Sequence, residues 1–493
     1  MTGCFPTAIG TMHMRTKAVP PPEVKLLPEY FRRAGYYCTN NWQVDFQVQV
    51  PPVVFDDCSQ EAHWRNRPDP DTPFFATFHG FTTHESRIDL DDESFMALTA
   101  NVAPEQRHDP ALAPLPPYYP DTPAFRTAWA RYADLITEMD HWVGKILGEL
   151  EEDGLADNTV VVFWSDHGKG MPRAKRWATE AGLREPVIIR WPGSIPAGSV
   201  RDELVHTMDL APTMLTVAGL DVPTHMHGKS LLHADGSFAD SANSYVYASR
   251  DRMDEAEDTS RTIRDPRYRY TRHFHPDRPP MMHTSFPDQH VTWAELRRLS
   301  AAEGNHLALG EPRHALTDLQ RTLVASSKPE EELYDLVEDP HETRNLALDP
   351  FHAPTLRRMR AELKGWQARY GDLGLLDEAA LIEQWRPGGR LRSTEAPTLA
   401  LTPEGVRAEC STPGAIIGWT TDPELEAPAE QNFWAKVDGS PVQDGRRWHL
   451  YTGPVPYEKC QEAAFRAWRL GYAPSETVLM TGPQASAPAL AEA

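Results

Sequence analysis

A carboxylate and an imidazole stand side by side after an apolar run near residue 160. Residues 160 to 164 are continuously apolar, and Asp166, His167 and Gly168 follow them almost at once. Carboxylate oxygens and imidazole nitrogens are common metal ligands. Cationic side chains come next in a chain that is otherwise acidic: Lys169, Arg173, Lys175, Arg176 and Arg184. The pattern predicts a metal pair beside a pocket for an anionic substrate.

Two strands are predicted to hold these residues. The run from 160 to 164 has the pattern of a strand buried on both faces, and residues 186 to 191 form a second strand. Ligands of open α/β sheets bind at the carboxyl edge of the strands, where Asp166 and His167 emerge. In the alternative interpretation, the Asp-His-Gly triplet is an ordinary turn and the cations form a solvated loop.

A second imidazole, that of His84, follows a strand predicted over residues 74 to 78. Imidazole titrates near neutral pH, so it suits proton transfer to a leaving group. A long amphipathic helix is predicted from Thr122 to Glu152, with Gly154 as its stop, and it would pack against the sheet. Residues 244 to 270 have the pattern of a second, antiparallel sheet in which the arginines alternate outward.

Composition narrows the range of partners. The 493 residues carry a net charge of −22, which argues against nucleic acid as a partner. No stretch approaches the ~18 consecutive apolar residues of a membrane span, and no signal peptide is visible. The 5 cysteines are too few for a disulfide scaffold. A disulfide between Cys410 and Cys460 would require adjacent strands and an oxidising compartment.

The stretch from Ser165 to Pro186 resembles the sulfatase family of the alkaline-phosphatase superfamily. In that family the sequence S-D-H/N-G precedes K-x-x-x-x-E-x-G-x-R-x-P. The second pattern is filled here by Lys175, Glu180, Gly182, Arg184 and Pro186. The resemblance implies an α/β fold: an alkaline-phosphatase-like α/β/α sandwich with a small antiparallel C-terminal subdomain.

The resemblance also assigns roles to the residues. It implies that Asp166 and His167 are ligands of a divalent cation, Ca²⁺ in this family. It implies that the Lys175 ammonium faces the sulfate and the leaving-group oxygen, and that His84 contacts the sulfate and helps to protonate the leaving group. We further expect substrate-binding roles for Arg173 and Arg176, which are the other cations around Lys175.

Two parts of the sequence depart from the family pattern. Residues 35 to 46 resemble G-Y-Y-T-x-N-x-x-K-x-D-Y of the subgroup containing heparan N-sulfatases, but Gln43 occupies the position of an active-site lysine. An amide can donate hydrogen bonds to the substrate, but it supplies no charge. Residues 1 to 15 resemble only the tail of the formylglycine segment, and Cys4 does not match the formylglycine cysteine. We therefore expect weak Ca²⁺ binding and a chain that is inactive as written.

Four regions are predicted along the chain. A sulfatase-like catalytic domain spans residues 1–320, and its C-terminal subdomain spans 321–389. The latter contains a segment, 331–347, that resembles the family's E-L-Y-D-L-x-x-D-P-x-E-x-x-N-L. Short alternating strands over 394–480 predict an appended β-sandwich that resembles the chitobiase-like modules of some bacterial enzymes. Residues 481–493, rich in Ala and Pro, are predicted to be disordered.

The leading hypothesis is a hydrolase of sulfate esters or sulfamates whose substrate is a sulfated carbohydrate or a small sulfate ester. Family members usually work in the periplasm, outside the cell or in the lysosome. Two alternatives stay open. One is a non-catalytic carbohydrate-binding remnant with the same fold. The other is a phosphodiesterase or phosphonate hydrolase of the same superfamily, because phosphate and sulfate esters are similar tetrahedral anions.

Overall fold

The computed structural model describes residues 1–48, 50–239, 243–306, 316–422, 448–460 and 462–480. The predicted disordered tail lies outside these residues. The helices, in chain order, are α1 Pro6–Ile9, α2 Leu27–Arg33, α3 Asp92–Leu98, α4 Pro123–Glu152, α5 Glu180–Leu183, α6 Leu210–Val217, α7 Val291–His306, α8 Asp318–Leu323, α9 Ala353–Tyr370 and α10 Glu378–Trp385.

The first nine strands mix with these helices along the chain, which confirms the α/β class. They are β1 Tyr37–Asn41, β2 Asp57–Cys58, β3 Phe74–Phe78, β4 Val161–Trp164, β5 Val187–Arg190, β6 Val246–Arg250, β7 Ser260–Arg264, β8 Tyr268–His273 and β9 Glu331–Asp335. The C-terminal strands are β10 Thr398–Thr402, β11 Gly405–Glu409, β12 Ile416–Thr420, β13 His449–Leu450, β14 Ala464–Trp468 and β15 Val478–Leu479.

A parallel sheet in the order β2-β1-β3 supports one side of the site. Strand β3 occupies the predicted range, and Asn41 at the end of β1 lies opposite Phe78 at the end of β3. Parallel strands that end in register deliver the residues after them to the same edge. Behind the sheet, Phe31 of α2 and Leu215 of α6 belong to one buried apolar cluster with Cys38 of β1.

Strands β4 and β5 support the other side. They occupy the predicted ranges and pair antiparallel, with Trp164 opposite Val187. The prediction that β4 is buried on both faces is wrong, because Trp164 is 42% exposed and Ile188 of β5 is 61% exposed. Among the described residues β4 and β5 form a two-stranded sheet of their own, and Trp164 and Ile188 lie where no second layer covers its face, which an apolar run in the sequence cannot reveal.

The long helix α4 confirms the prediction made for residues 122 to 152. It begins at Pro123, where Thr122 Oγ1 accepts a hydrogen bond from the Phe125 backbone N–H at 3.4 Å. Its buried residues Phe125 and Leu135 share a core cluster with Met171 of the loop after β4 and with Trp293 of α7. The helix therefore anchors the loop that carries the predicted cations.

The second sheet is antiparallel, as predicted, in the order β6-β7-β8-β9. Helix α9 covers it, and Ile263, Tyr270 and Leu333 of the sheet pack with Met359 and Trp366 of the helix. The sheet joins strands from both sides of residue 320, the proposed boundary of the catalytic domain. The domain limits stay predictions.

The arginines of this sheet do not alternate outward, contrary to the prediction. The side chains of Arg261 and Arg269 are almost fully buried. Arg261 donates hydrogen bonds to Asp251 at 3.0 Å and to Asp372 at 2.6 Å, and Arg269 pairs with buried Glu342. Acidic partners from distant segments compensate the buried charge, which the strand pattern alone did not reveal.

The C-terminal region contains a β10-β11 hairpin and a sheet in the order β13-β12-β14-β15. Trp448 and Trp468 pack here with Val53 of the catalytic part, so the module is attached through apolar contacts. Residues 423–447 of the predicted sandwich lie outside the described residues. Cys410 and Cys460 are both free thiols, so the disulfide considered from the sequence is not formed. Among the described residues, no helix is both long and apolar enough to cross a lipid bilayer.

Candidate functional site

The edge shared by β1 and β3 carries two of the predicted site residues. Gln43 follows β1, is half-buried, and accepts a hydrogen bond from Asn40 Nδ2 on its backbone oxygen at 2.7 Å. The ring of Trp42, the residue before Gln43, stacks on the ring of Phe81 at a centroid distance of 5.5 Å. Phe81 precedes His84 by three residues, so the segments carrying Gln43 and His84 lie side by side.

The hydrogen bonds of His84 define its tautomer. The Ser86 backbone N–H donates to His84 Nδ1 at 3.4 Å, and the Ser86 hydroxyl lies 2.8 Å from the same nitrogen. A nitrogen that accepts a backbone N–H carries no proton, so we assign the proton of the neutral ring to Nε2. The Nε2–H is then the group that His84 offers to a ligand.

Burial and nearby positive charges keep the His84 ring neutral. Burial lowers the pKa of His84 to about 4, and the charge of Lys175 acts in the same direction. Smaller contributions of the same sign come from Arg87 and His167, while Glu85 opposes them. At neutral pH the imidazole is therefore an uncharged hydrogen-bond donor. Lys175 lies close to this segment, because its Nζ is 2.7 Å from Oε1 of Glu85, the residue after His84.

Asp166 and His167 emerge directly after β4, as predicted. His167 Nε2 lies 3.2 Å from Asp166 Oδ2, and the side chains are 41% and 71% exposed respectively. His167 Nδ1 lies 2.9 Å from the Gly168 carbonyl, to which it can donate a proton. A proton on Nδ1 leaves the lone pair of the neutral ring on Nε2, and metal-binding imidazoles commonly donate their other ring N–H in this way.

The cations of the loop after β4 are mostly paired inside the protein. Lys175 Nζ lies 2.7 Å from Glu85 Oε1. Both terminal nitrogens of Arg176 bond Glu85, at 2.8 and 2.9 Å. Arg173 donates to the carbonyls of His341 and Glu342 at 2.9 and 2.7 Å. These contacts do not support the predicted substrate-binding roles of Arg173 and Arg176.

Comparison with known proteins identifies the family. A family model described as sulfatase matches residues 1–220, and a model of the C-terminal part of N-sulphoglucosamine sulphohydrolase matches residues 172–281. An ulvan-active sulfatase from Formosa agariphila is 32% identical over 97% of this chain and 81% of its own length. This chain belongs to the sulfatase family. The resemblance stated from the motifs is confirmed.

Further relatives of this sulfatase-family chain agree. Human N-sulphoglucosamine sulphohydrolase is 30% identical over 53% of this chain and 52% of its own length. A solved structure, a protein in complex with its substrate D-glucosamine-2-N,6-O-disulfate, has 17% identity and a TM-score of 0.52. That match covers 76% of this chain and 88% of the other, and it shows that the fold is shared.

The Ca²⁺ site implied by the family can be tested against the side chains of this sulfatase homologue. Calcium takes roughly six to eight oxygen ligands. Asp166 supplies one carboxylate and His167 a nitrogen, and the described residues contain no group of three or more His, Cys, Asp or Glu side chains able to hold a metal ion. The described residues thus do not fit a calcium cage. Weak calcium binding stays a prediction.

Two residues near Asp166 were not identified from the sequence. His79 Nε2 lies 2.9 Å from Asn40 Oδ1, and burial lowers the pKa of His79 while the charge of Asp166 opposes this. Burial also raises the pKa of Glu185 to about 7, with Ser165 and Lys169 acting in the opposite direction. His79 directly follows a predicted strand, a signal that could have identified it. Glu185 had no such signal.

Proposed function

We propose that this protein acts on sulfate esters or sulfamates of a sulfated carbohydrate by the hydrolysis typical of sulfatases. The observation that carries this proposal is the neutral His84, which offers an Nε2–H, beside the cationic Lys175. An ammonium favours the negative charge of a sulfate group, and the imidazole N–H can hydrogen-bond the leaving oxygen or nitrogen. The names of the relatives, which refer to ulvan and N-sulphoglucosamine, support a sulfated carbohydrate.

The other residues have supporting roles in this proposal. Gln43, at the end of the neighbouring strand, is available as a neutral donor to the sulfate oxygens. Asp166 and His167 are exposed directly after β4 and would contribute part of a cation site. Arg173 and Arg176 stabilise the wall of the site through internal ion pairs, so we assign them no contact with substrate.

The nucleophile of the proposed reaction is not assigned to a residue. In the family a formylglycine supplies it, and no residue matched here has that role. The residues that the structure describes do not fit calcium either, so we assign no step to formylglycine or to calcium. What this chain offers is recognition of the sulfate and a proton donor for the leaving group. We accordingly expect the chain to bind sulfated sugars and to release sulfate slowly.

Binding and turnover should therefore be measured separately on the full chain. Isothermal titration with heparin-derived and ulvan-derived oligosaccharides, each compared with its desulfated form, reports recognition. Ion chromatography of released sulfate reports hydrolysis. We expect binding only to sulfated forms and an affinity about tenfold lower in Lys175→Ala, the effect of losing one charged hydrogen bond. Lys364→Ala, an exposed lysine on α9, is the matched control.

The outcomes separate the hypotheses. Sulfate release above the uncatalysed rate, abolished in His84→Ala, would support a sulfatase. Binding without release under all conditions would favour the non-catalytic carbohydrate-binding alternative. Faster cleavage of bis(4-nitrophenyl) phosphate or an aryl phosphonate than of 4-nitrophenyl sulfate would favour the phosphodiesterase or phosphonate hydrolase. Equal affinity for sulfated and desulfated sugars would refute the proposal.

A further inference from the structure

We infer that Glu85 is a positioning residue that holds the Lys175 ammonium in place for the substrate, an inference that rests on the proposed function. Glu85 is the first residue of a single 3₁₀ turn, Glu85–Arg87, directly after His84. It is only 2% exposed, although it carries a carboxylate. Buried carboxylates require compensation by cations or hydrogen-bond donors, and here the cations are Lys175 and Arg176.

Arg176 fixes the Glu85 carboxylate independently of Lys175. Arg176 bonds both of its oxygens, a bidentate geometry that defines the plane of the carboxylate. Arg176 is itself held by Asp254, at 3.2 Å from its Nε. Burial alone would raise the pKa of Glu85, but hydrogen bonds from Arg176 and the charge of Lys175 outweigh this and lower it to about 2. Glu85 is therefore a rigid anion at every physiological pH.

A rigid anion restricts a flexible cation. A lysine ammonium sits on a flexible four-carbon stem, so an unattached ammonium would occupy many positions. The contact of 2.7 Å between Nζ and Glu85 Oε1 selects one of them. An ammonium has three donors, and the side chain of Lys175 is 16% exposed. A donor not used on Glu85 can thus meet a sulfate oxygen.

The close packing of two backbone segments supports the contact between Glu85 and Lys175. A Cβ atom added to Gly170 would lie 2.0 Å from the Glu85 Cβ and 2.7 Å from its Cα. The loop that carries Lys175 therefore packs directly on the turn that carries Glu85. Within the loop, the Lys175 backbone N–H donates to the Lys169 carbonyl at 3.0 Å, which fixes the lysine relative to Gly170.

Other groups around Glu85 are consistent with a positioning role. His290 Nε2 lies 3.7 Å from Glu85 Oε2, while its Nδ1 contacts Asp89. The neighbours on either side of Glu85, His84 and Ser86, form the hydrogen bonds that orient the imidazole. One short turn thus orients both proposed sulfate-binding groups, the ring through Ser86 and the ammonium through Glu85.

The test measures the acetylation rate of the Lys175 amine. Acetylation of the full chain by an N-hydroxysuccinimide ester, quantified for each lysine by peptide mass spectrometry, reports how well Nζ is held. In Glu85→Gln we expect Lys175 to react about tenfold faster than in the wild type, the effect of losing one charged hydrogen bond. Lys364 is the internal reference and should not change. Glu85→Asp, which keeps the charge, should give an intermediate rate.

An unchanged Lys175 rate in folded Glu85→Gln would overturn the inference. If that variant does not fold, Arg176→Lys provides the second test, because it loosens the carboxylate while keeping the charge. The Lys175 rate should then rise severalfold, the effect of losing the second hydrogen bond of the bidentate pair, and no rise would count against the inference.

The labelling requires no ligand, so its outcome is independent of the proposed function. A wild type that binds no sulfated sugar would refute that function alone. In a wild type that does bind, we expect Glu85→Gln to lower the affinity about tenfold and Glu85→Asp to restore part of it. Equal affinities of the wild type and Glu85→Gln would show that the held ammonium does not serve the substrate.

Discussion

The Ser86 hydroxyl lies 2.8 Å from His84 Nδ1, and the backbone N–H of the same serine points to that nitrogen. This pair of contacts leaves the proton of the neutral ring on Nε2. Because burial and Lys175 together lower the pKa of His84 to about 4, the ring stays neutral over the whole physiological range. The site therefore combines a neutral donor with a cation instead of two cations.

The first prediction concerns the titration of His84. Proton NMR of the imidazole, assigned by the signal missing in His84→Gln, should give a midpoint near 4 instead of the ordinary 6.5. Lys175→Gln should raise this midpoint, because the positive charge beside the ring is removed while burial remains. Lys364→Gln is the control and should not move it. A midpoint near 6.5 in the wild type would contradict the assignment.

The second prediction concerns stability against pH. Between pH 6.5 and 4 the imidazole of His84 is protonated in the unfolded chain but neutral in the folded chain. Because the unfolded chain binds the extra proton, the free energy of unfolding must fall as the pH is lowered. Urea unfolding at pH 7 and 5 should show a loss that is about 1 kcal/mol smaller in His84→Gln, after allowance for the partial exposure of the ring. Equal losses would contradict the pKa shift.

The third prediction concerns the glycines around the cationic loop. A Cβ atom at Gly182 would meet the backbone oxygens of Trp177 and Ala174 at 2.3 and 2.4 Å, and neither oxygen can move freely. Gly182→Ala should lower the free energy of unfolding by ~1–3 kcal/mol. Gly148→Ala is the matched control, because this position in α4 is open and helical. It should stabilise by ~0.5–1 kcal/mol, so a similar loss in both variants would contradict the steric explanation.

The fourth prediction concerns calcium. Two adjacent ligands are far fewer than the six to eight oxygens that Ca²⁺ prefers, so isothermal titration of the full chain should show weak binding or none. Asp166→Asn should then change little. Sub-micromolar affinity, lost in Asp166→Asn, would mean that further ligands join Asp166 and His167 to complete a calcium site.

The sequence by itself determined the local features. Helix α4 was predictable from Thr122 to Glu152 because capping and amphipathic spacing are properties of neighbouring residues. The same holds for β3, β4 and β5, whose apolar runs are short and bounded by turns. The Asp-His-Gly triplet together with the full pattern from Lys175 to Pro186 indicated the family, because all of these residues lie in one continuous stretch after β4.

Only the tertiary structure decided which charges meet. Lys175 and Glu85 are 90 positions apart, and Arg261 and Asp372 are 111 apart, so neither ion pair leaves a pattern in the local sequence. Arg261 and Arg269 were predicted to point outward because strand periodicity does not reveal acidic partners from other segments. Burial of a charge depends on such distant compensation. For this reason Glu85, a residue without an assigned role in the sequence, became central to the site once the chain was folded.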